Sequence, residues 1–334
     1  MGTPHSSPAW FLHRLDSAAG LGSYVRTTAA GLRGAAFIDG REQFWDAEEV
    51  RPLVLDGQMS ARSSNPSSTA FSYLFHVSFC GSTLLGRILD QPGRSLVLRE
   101  PQALADLAAQ QSGLMAKDPG ALAALCDLVI RETATLLAPG EAGVIKPSNW
   151  ANSLIPALCD ARTGANAVFL SMDCAQFVAA VFRGGRDRLA YTARAAAHLT
   201  SSTGLGAAAV QTVAAQGSDP LDQMACFAAL SHRVQETIFR SAMAQRDWGD
   251  DHWFDFADIT ADPARAAHSA ARALGLHIDR DAIERQASMF TGIHSKDKGL
   301  AFSRERRSRE NDLVWHHHRD RINRAVEWAA TIDL

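Results

Sequence analysis

The sequence predicts an α/β protein built on a doubly wound, parallel β-sheet. Short apolar runs recur along the chain and segments with helical periodicity separate them, which is the pattern of strands joined by crossover helices. Several of these runs end in a polar or charged residue, as strands do when their carboxyl ends form a binding site. The chain has 334 residues, of which 46% are hydrophobic and 21% charged, so it can bury a large core.

The run from Phe71 to Val77 predicts the first strand of the sheet, and the turn after it carries the main candidate site. This turn, Ser78 to Thr83, contains Gly81 and opens directly into an apolar-periodic segment from Leu84 to Leu89. A helix that starts after such a turn presents unpaired backbone N–H groups and the positive end of its dipole, which together favour an anion. The turn lacks the lysine of the GxxxxGK[ST] phosphate loop.

Four further apolar runs predict the remaining strands, at residues 95–98, 143–145, 167–170 and 253–256. Glu100, Lys146 and Asp173 follow the first three of these runs. Because the carboxyl ends of parallel strands meet at one edge of a sheet, we expect these three side chains to lie beside the Ser78–Thr83 turn. Their convergence predicts a functional site.

The chain divides into two predicted regions. Residues 1–69 form an N-terminal extension that ends in a Ser-rich stretch with Gly and Pro, 56–69, which is typical of an exposed linker. Residues 70–334 form the main domain, whose second half is mostly helical. Its clearest helices are a long apolar-periodic one at 220–243 and one at 263–274 that Gly275 closes.

Composition and charge indicate which binding partners and which cellular compartment to expect. The formal net charge of −3 gives no general attraction to nucleic acid or to an acidic membrane. No apolar run reaches membrane-spanning length, and the N-terminus lacks an apolar signal segment. The five cysteines are an odd number without a CxxC pair, which suits a reducing compartment. We therefore expect a cytoplasmic protein with neither a membrane nor a nucleic-acid partner.

Two clusters of basic and histidine residues lie near the C-terminus. Between residues 294 and 309, six basic residues stand against two acidic ones, and Phe302 is the only interleaved aromatic residue. This pattern is more typical of a loop that closes over a phosphate than of a nucleic-acid surface. The triplet His316–His318 places neighbouring side chains in different directions on a helix, so we predict no metal site there.

Together these residues resemble the sulfotransferase family that uses 3′-phosphoadenosine 5′-phosphosulfate (PAPS). Residues 80–85, CGSTLL, match the core of that family's phosphosulfate loop. Leu89-Asp90, Pro92 and a strand that ends in Glu100 are similar to its tyrosylprotein branch. Residues 256–276 resemble its pattern of a strand, an acidic residue and a helix that starts with Pro and ends in Gly-Leu. The resemblance covers roughly residues 70–334. It implies a P-loop nucleotide-binding fold of three layers, with a central parallel sheet and extra helices.

The resemblance also implies an activity. The enzyme would transfer the sulfuryl group of PAPS, as a co-substrate, to a hydroxyl or amine of a small or peptide-borne acceptor, without a metal ion. Backbone N–H groups of the loop, with two hydroxyls, would hold the 5′-phosphosulfate; the residues concerned are Cys80, Gly81, Ser82, Thr83 and Leu84.

Three further side chains are candidates for catalysis. Glu100 would act as the general base, Lys146 would stabilise charge on the bridging oxygen, and His76 lies one register from the loop. Each residue type also has a structural interpretation. Glu100 could pair with Arg99 or Arg87, Lys146 could be a solvated lysine at a strand end, and His76 could be a satisfied core histidine.

Two departures from the family's pattern leave alternatives open. Phe79 stands where the family has a basic residue, and Met172 and Ala180 stand near its 3′-phosphate ligands. The candidate replacement cations are Arg183, Arg186, Lys296 and Arg304. One alternative is an ATP- or GTP-dependent phosphotransferase, in which Asp173 would be a metal ligand. The other is a degenerate nucleotide-binding scaffold.

Overall fold

The computed structural model describes residues 7–46, 48–55, 71–118, 120–162, 164–291 and 304–334. Its N-terminal part is a three-stranded antiparallel sheet, β1 (Ala9–Asp16), β2 (Leu21–Thr27) and β3 (Val50–Val54), with a short helix α1 (Ala29–Gly34) between β2 and β3. Residues 7–46 and 48–55 are named the N-terminal module below. The extension predicted for residues 1–69 therefore contains a folded module.

The central sheet has five parallel strands: β4 (Phe71–His76), β5 (Ser95–Arg99), β6 (Ala142–Lys146), β7 (Ala167–Ser171) and β8 (Trp253–Asp255). Their order across the sheet is β5-β6-β4-β7-β8. All five lie where the apolar runs predict strands, so the predicted α/β class and parallel sheet are confirmed.

Helices occupy the connections. In chain order they are α2 (Ser82–Leu89), α3 (Gln102–Lys117), α4 (Ala121–Thr133), α5 (Ile155–Ala161), α6 (Cys174–Arg183), α7 (Gly185–Thr203), α8 (Ala207–Thr212), α9 (Pro220–Gln245), α10 (Phe256–Ala261), α11 (Pro263–Ala273), α12 (Arg280–Thr291) and α13 (Arg304–Ala330). The residues at 304–309, predicted as part of a closing loop, are the first turns of α13. No helix within the described ranges is long and apolar enough to cross a membrane.

Strand β4 lies at the centre of the sheet, and its side chains show that helices cover both faces. The Ser72 hydroxyl donates to the Leu274 carbonyl just after α11, at 2.9 Å, and the Tyr73 hydroxyl donates to the Leu158 carbonyl of α5, at 3.3 Å. Successive strand residues point to opposite faces, so α11 and α5 lie on opposite sides. Every residue of β4 is buried, which explains its continuous apolar pattern.

A network of buried charges joins the N-terminal module to the central sheet. Arg99, at the end of β5, is almost fully buried and pairs with Asp90 at 2.8 Å. Its guanidinium also donates to three carbonyls at the end of α1, those of Leu32, Arg33 and Ala35, at 2.8 to 2.9 Å. The backbone N–H of Ile38 donates to the Arg99 carbonyl at 2.8 Å. Residues after α1 are thereby held against the carboxyl end of β5.

Candidate functional site

The turn between β4 and α2 adopts the geometry of an anion cradle. Ser78, Phe79 and Gly81 have positive φ angles of 82°, 58° and 82°. Such left-handed positions turn backbone N–H groups toward one point, and for Ser and Phe they are unusual enough to mark a functional turn. At Gly81 a Cβ would also be crowded, because it would lie 3.1 Å from Ile259 Cγ2.

His76 fixes the backbone next to this turn through two hydrogen bonds. Its Nδ1 accepts a hydrogen bond from the Ser78 N–H at 3.1 Å, so its Nε2 carries the proton and donates to the Pro147 carbonyl at 3.1 Å. The tautomer follows from these partners. Both ring nitrogens are thus used to fix the backbone, which favours the structural interpretation of His76 over a proton-transfer role.

The N-terminus of α2 is open toward solvent. Its N-cap, Gly81, offers no capping side chain, so the N–H groups of the first turn have no intrahelical acceptor. The Ser82 and Thr83 hydroxyls face the same space, and neither has a hydrogen-bond partner among the described residues. Cys80 contributes only its backbone, because its side chain is buried and burial raises the pKa of the thiol to about 11.

A cavity of about 1520 Å³ lies over this turn at the carboxyl edge of the sheet. One end is formed by the N-terminal module, α3, the segment after β6 and the middle of α7, and Phe37, Arg41, Glu100, Trp150 and Tyr191 line it. The opposite end is formed by α6, α7, α10 and α13, and its lining includes several arginines. The open N-terminus of α2 lies between the two ends.

Glu100 occupies the first end within a set of cationic partners. Its Oε1 lies 2.7 Å from Lys146 Nζ, and its Oε2 lies 3.2 Å from Arg41 Nη2. Burial is the largest single influence and opposes ionisation of this carboxyl, but its interactions with Lys146, His76 and Arg41 together outweigh burial and lower the pKa of Glu100 to about 2. The N–H edge of the His76 ring, 4.0 Å away, and Arg41 act in the same direction. Glu100 therefore remains ionised at any physiological pH.

The position of Lys146 differs from the prediction. Its side chain is fully buried, does not line the cavity and directs its ammonium to Glu100. It is therefore not a solvated lysine. The pairing of Glu100 with Arg99 or Arg87 is likewise not observed: Arg99 pairs with Asp90, and Arg87 forms no ion pair with a described carboxylate.

The opposite end of the cavity contains an arginine cluster, formed by Arg183, Arg188 and Arg307. Arg188 Nη1 donates to the Ala180 carbonyl at 2.7 Å, and its guanidinium carbon lies 4.3 Å from the centre of the Phe79 ring. Arg183 Nη1 donates to Asn311 Oδ1 at 3.1 Å, which connects α6 to α13. Neither Arg183 nor Arg188 forms an ion pair with a carboxylate of the described chain.

The arginines of this cluster repel one another. Burial lowers the pKa of Arg188 to about 10, and the charges of Arg183 and Arg307 add to the effect. Burial also lowers the pKa of Arg183 and of Arg307, and Arg307 is further affected by Arg183. All three stay protonated at neutral pH, so a bound anion would relieve their mutual repulsion.

The remaining predicted cations and carboxylate fall in different places. Arg183 belongs to the cluster, whereas Arg186 does not line the cavity. Lys296 lies outside the described residues, and Arg304 is known only as the first residue of α13. Asp173 caps α6, since its Oδ1 accepts from the Gln176 N–H at 2.9 Å, and it does not line the cavity. Among the described residues, no group of three His, Cys, Asp or Glu side chains could hold a metal ion.

Sequence reasoning missed two residues of the site. Arg188 follows Arg183 by five positions in the run RGGRDR, so the density of basic residues after the fourth strand was an available signal. Arg41 lies in the N-terminal module, and nothing in the local sequence connects it with Glu100. Met172 and Ala180 line the cavity as predicted for positions near the site, but Arg188 is bound to the backbone of Ala180.

The described residues thus form an α/β protein with a five-stranded parallel sheet, and a cavity of about 1520 Å³ lies over the turn after its central strand. No model of a known protein family matches the chain, and no curated protein matches its sequence.

Proposed function

We propose that this protein is a PAPS-dependent sulfotransferase with a P-loop-type fold. The observation that carries the proposal is the arrangement within the cavity: an anion cradle lies between an ionised carboxylate at one end and an arginine cluster at the other. A donor with two separate anionic groups and an acceptor with a hydroxyl fit these three regions. PAPS carries a 5′-phosphosulfate and a separate 3′-phosphate.

In this proposal the cradle binds the 5′-phosphosulfate. The N–H groups at the start of α2 and the Ser82 and Thr83 hydroxyls would donate to its oxygens, as the resemblance to the sulfotransferase loop implies. Arg188 lies beside the cradle, with its guanidinium over the Phe79 ring. Together with Arg183 and Arg307, it would bind the 3′-phosphate by charge-assisted hydrogen bonds.

Sulfuryl transfer needs little covalent help from the protein, as in phosphoryl transfer. The acceptor oxygen forms a bond to sulfur while the bond between sulfur and the bridging oxygen breaks, and that electron pair stays on the 5′-phosphate. Glu100 Oε2 would take the proton of the acceptor hydroxyl. A carboxylate with a pKa of about 2 is a weak base, so this proton would move late, after most of the new bond has formed.

The alternative of an ATP- or GTP-dependent phosphotransferase has less support. It requires a carboxylate near the cradle to bind the metal of the nucleotide, and Asp173 is used instead as the cap of α6.

Calorimetry distinguishes these functions. We expect adenosine 3′,5′-bisphosphate to bind with a micromolar dissociation constant and ATP with Mg²⁺ to bind far more weakly. Preference for ATP would overturn the sulfotransferase proposal, and no binding to either nucleotide would favour a scaffold. Incubation with PAPS and a panel of phenols, sugars and tyrosine peptides, followed by mass spectrometry, then identifies the acceptor.

A further inference from the structure

The segment after α1 brings the N-terminal module to the proposed reaction centre. Its backbone is held by the Ile38 N–H, which donates to the Arg99 carbonyl, and by the three α1 carbonyls that the Arg99 guanidinium binds. Arg99 directly precedes Glu100, whose own N–H donates to the Lys146 carbonyl at 2.7 Å. The module and the carboxylate thus share one rigid support.

Arg41 extends from this segment across the mouth of the cavity. Its guanidinium lies 4.1 Å from the centre of the Phe37 ring, its Nε lies 2.6 Å from Asp39 Oδ2, and its Nη2 lies 3.2 Å from Glu100 Oε2. The first two contacts, both within its own segment, fix the plane of the guanidinium. The third is directed to the carboxylate oxygen that Lys146 does not contact.

We infer that Arg41 is a positioning residue of the reaction site, supplied by the N-terminal module to orient Oε2 of Glu100 toward the acceptor. The inference rests on the proposed function, because it assigns Glu100 Oε2 as the proton acceptor. Glu100 adopts a left-handed backbone conformation, with φ of 61°, which is unfavourable for Glu and must be held by its surroundings. Lys146 anchors one oxygen, and Arg41 determines the direction of the other.

Ionisable groups face Glu100 from each element around it. They are Lys146 on β6, His76 on β4, Arg41 and Asp39 on the N-terminal module, and Tyr191 on α7. Of the cations, Arg41 is the only one with a largely exposed side chain, at 59%, so water screens its charge more than that of Lys146. Its removal should therefore leave Glu100 ionised at neutral pH while moving its titration to higher pH.

The test compares Arg41→Gln with Arg41→Lys and a matched control, Arg26→Gln. Arg26 lies in the same module and pairs with Glu49 at 2.6 Å, with 41% of its side chain exposed. In protein labelled with ¹³C at the Glu carboxyl, Glu100→Gln assigns the Glu100 signal. We expect this signal to titrate at higher pH in Arg41→Gln than in the unaltered protein, to return toward the original pH in Arg41→Lys, and to stay unchanged in Arg26→Gln.

Kinetic measurements then distinguish a failure of the inference about Arg41 from a failure of the proposed mechanism. With PAPS and an identified acceptor, Arg41→Gln should lower kcat by up to about 10²-fold through misplacement of the base, with unchanged affinity for adenosine 3′,5′-bisphosphate. The acid limb of its pH profile should move with the NMR titration. An unchanged Glu100 titration would overturn the inference about Arg41. A shifted titration without any change in the pH profile would instead remove Glu100 as the base, and with it the proposed mechanism.

Discussion

Replacement of Arg188 by Ala tests whether the arginine cluster binds a phosphate. Arg188 is held against the Ala180 carbonyl and the Phe79 ring, and it lies near two like charges. In the free protein, loss of these contacts and relief of the repulsion nearly offset each other, so we expect the free energy of unfolding to change by about 1 kcal/mol or less. The variant should therefore fold normally.

The effect on binding should be much larger. A hydrogen bond to a charged group contributes about 1.5–3 kcal/mol, and each 1.4 kcal/mol changes an equilibrium constant tenfold. Arg188→Ala should then weaken the binding of adenosine 3′,5′-bisphosphate by about 10- to 140-fold. Adenosine 5′-monophosphate lacks the 3′-phosphate, so its affinity should fall far less. This difference between the two ligands isolates the contact with the 3′-phosphate.

Isothermal titration calorimetry measures both ligands with both proteins. Arg194→Ala is the matched control, because Arg194 lies on the same helix α7, is exposed and does not line the cavity. It should leave both affinities unchanged. An equal loss for the two nucleotides, or no loss for the bisphosphate, would refute the assignment of Arg188 to the 3′-phosphate.

The remaining predictions concern the base, the cradle and the support of the N-terminal module. Glu100→Gln should retain nucleotide binding and reduce turnover by about 10²- to 10⁴-fold; full turnover would remove Glu100 as the base. The same variant is expected to be less stable than the unaltered protein. The pKa of Glu100 is about 2 in the folded protein, against 4.5 ordinarily. The difference in the free energy of unfolding between the two proteins should therefore be fully present above about pH 4.5 and should vanish as the pH falls toward 2. Urea unfolding at several pH values measures this difference. Gly81→Ala places a side chain at φ of 82° and should abolish nucleotide binding. The control Gly140→Ala also lies at positive φ, 78°, but has open space around it and should bind the nucleotide normally. Equal nucleotide affinities of the two variants would contradict the assignment of the turn as the anion cradle. Arg99→Met removes one of the two arginines that pair with buried Asp90, the other being Arg33, and leaves three carbonyls at the end of α1 without this donor. It should destabilise the fold by about 3–5 kcal/mol in denaturant titrations, and a loss below about 1 kcal/mol would show that the network is not needed.

Local patterns were sufficient to predict the strands. Strands β4 to β7 of the central sheet are nearly fully buried, so each appears in the sequence as a short apolar run whatever its neighbours are. The turn after Val77 was predictable for a similar reason, because a Gly next to Ser and Thr before an apolar helix is a local signal. The rule that parallel strands end at one edge then brought Glu100 and Lys146 together correctly, 46 residues apart in the chain.

The environment of each charge was not predictable in the same way. Lys146 could have been solvated or directed to the cradle, and only the packing around β6 shows that it is enclosed and paired with Glu100. Likewise, Asp173 had the sequence position of a metal ligand, but its carboxylate caps a helix. Burial and partner choice depend on side chains from distant segments, which local pattern does not specify.

The amino-acid sequence alone therefore determined the five strands of the central sheet and the anion-binding potential of the turn after the first of them. Apolar periodicity and turn chemistry act within a few residues, so they are visible without the fold. Tertiary structure decided which charges surround that turn. Arg41 is 59 residues from Glu100, and Arg183 is 128 residues from Asn311, yet each pair is in hydrogen-bond contact. Electrostatic interactions depend on distance and burial in space, and those quantities exist only once the chain has folded.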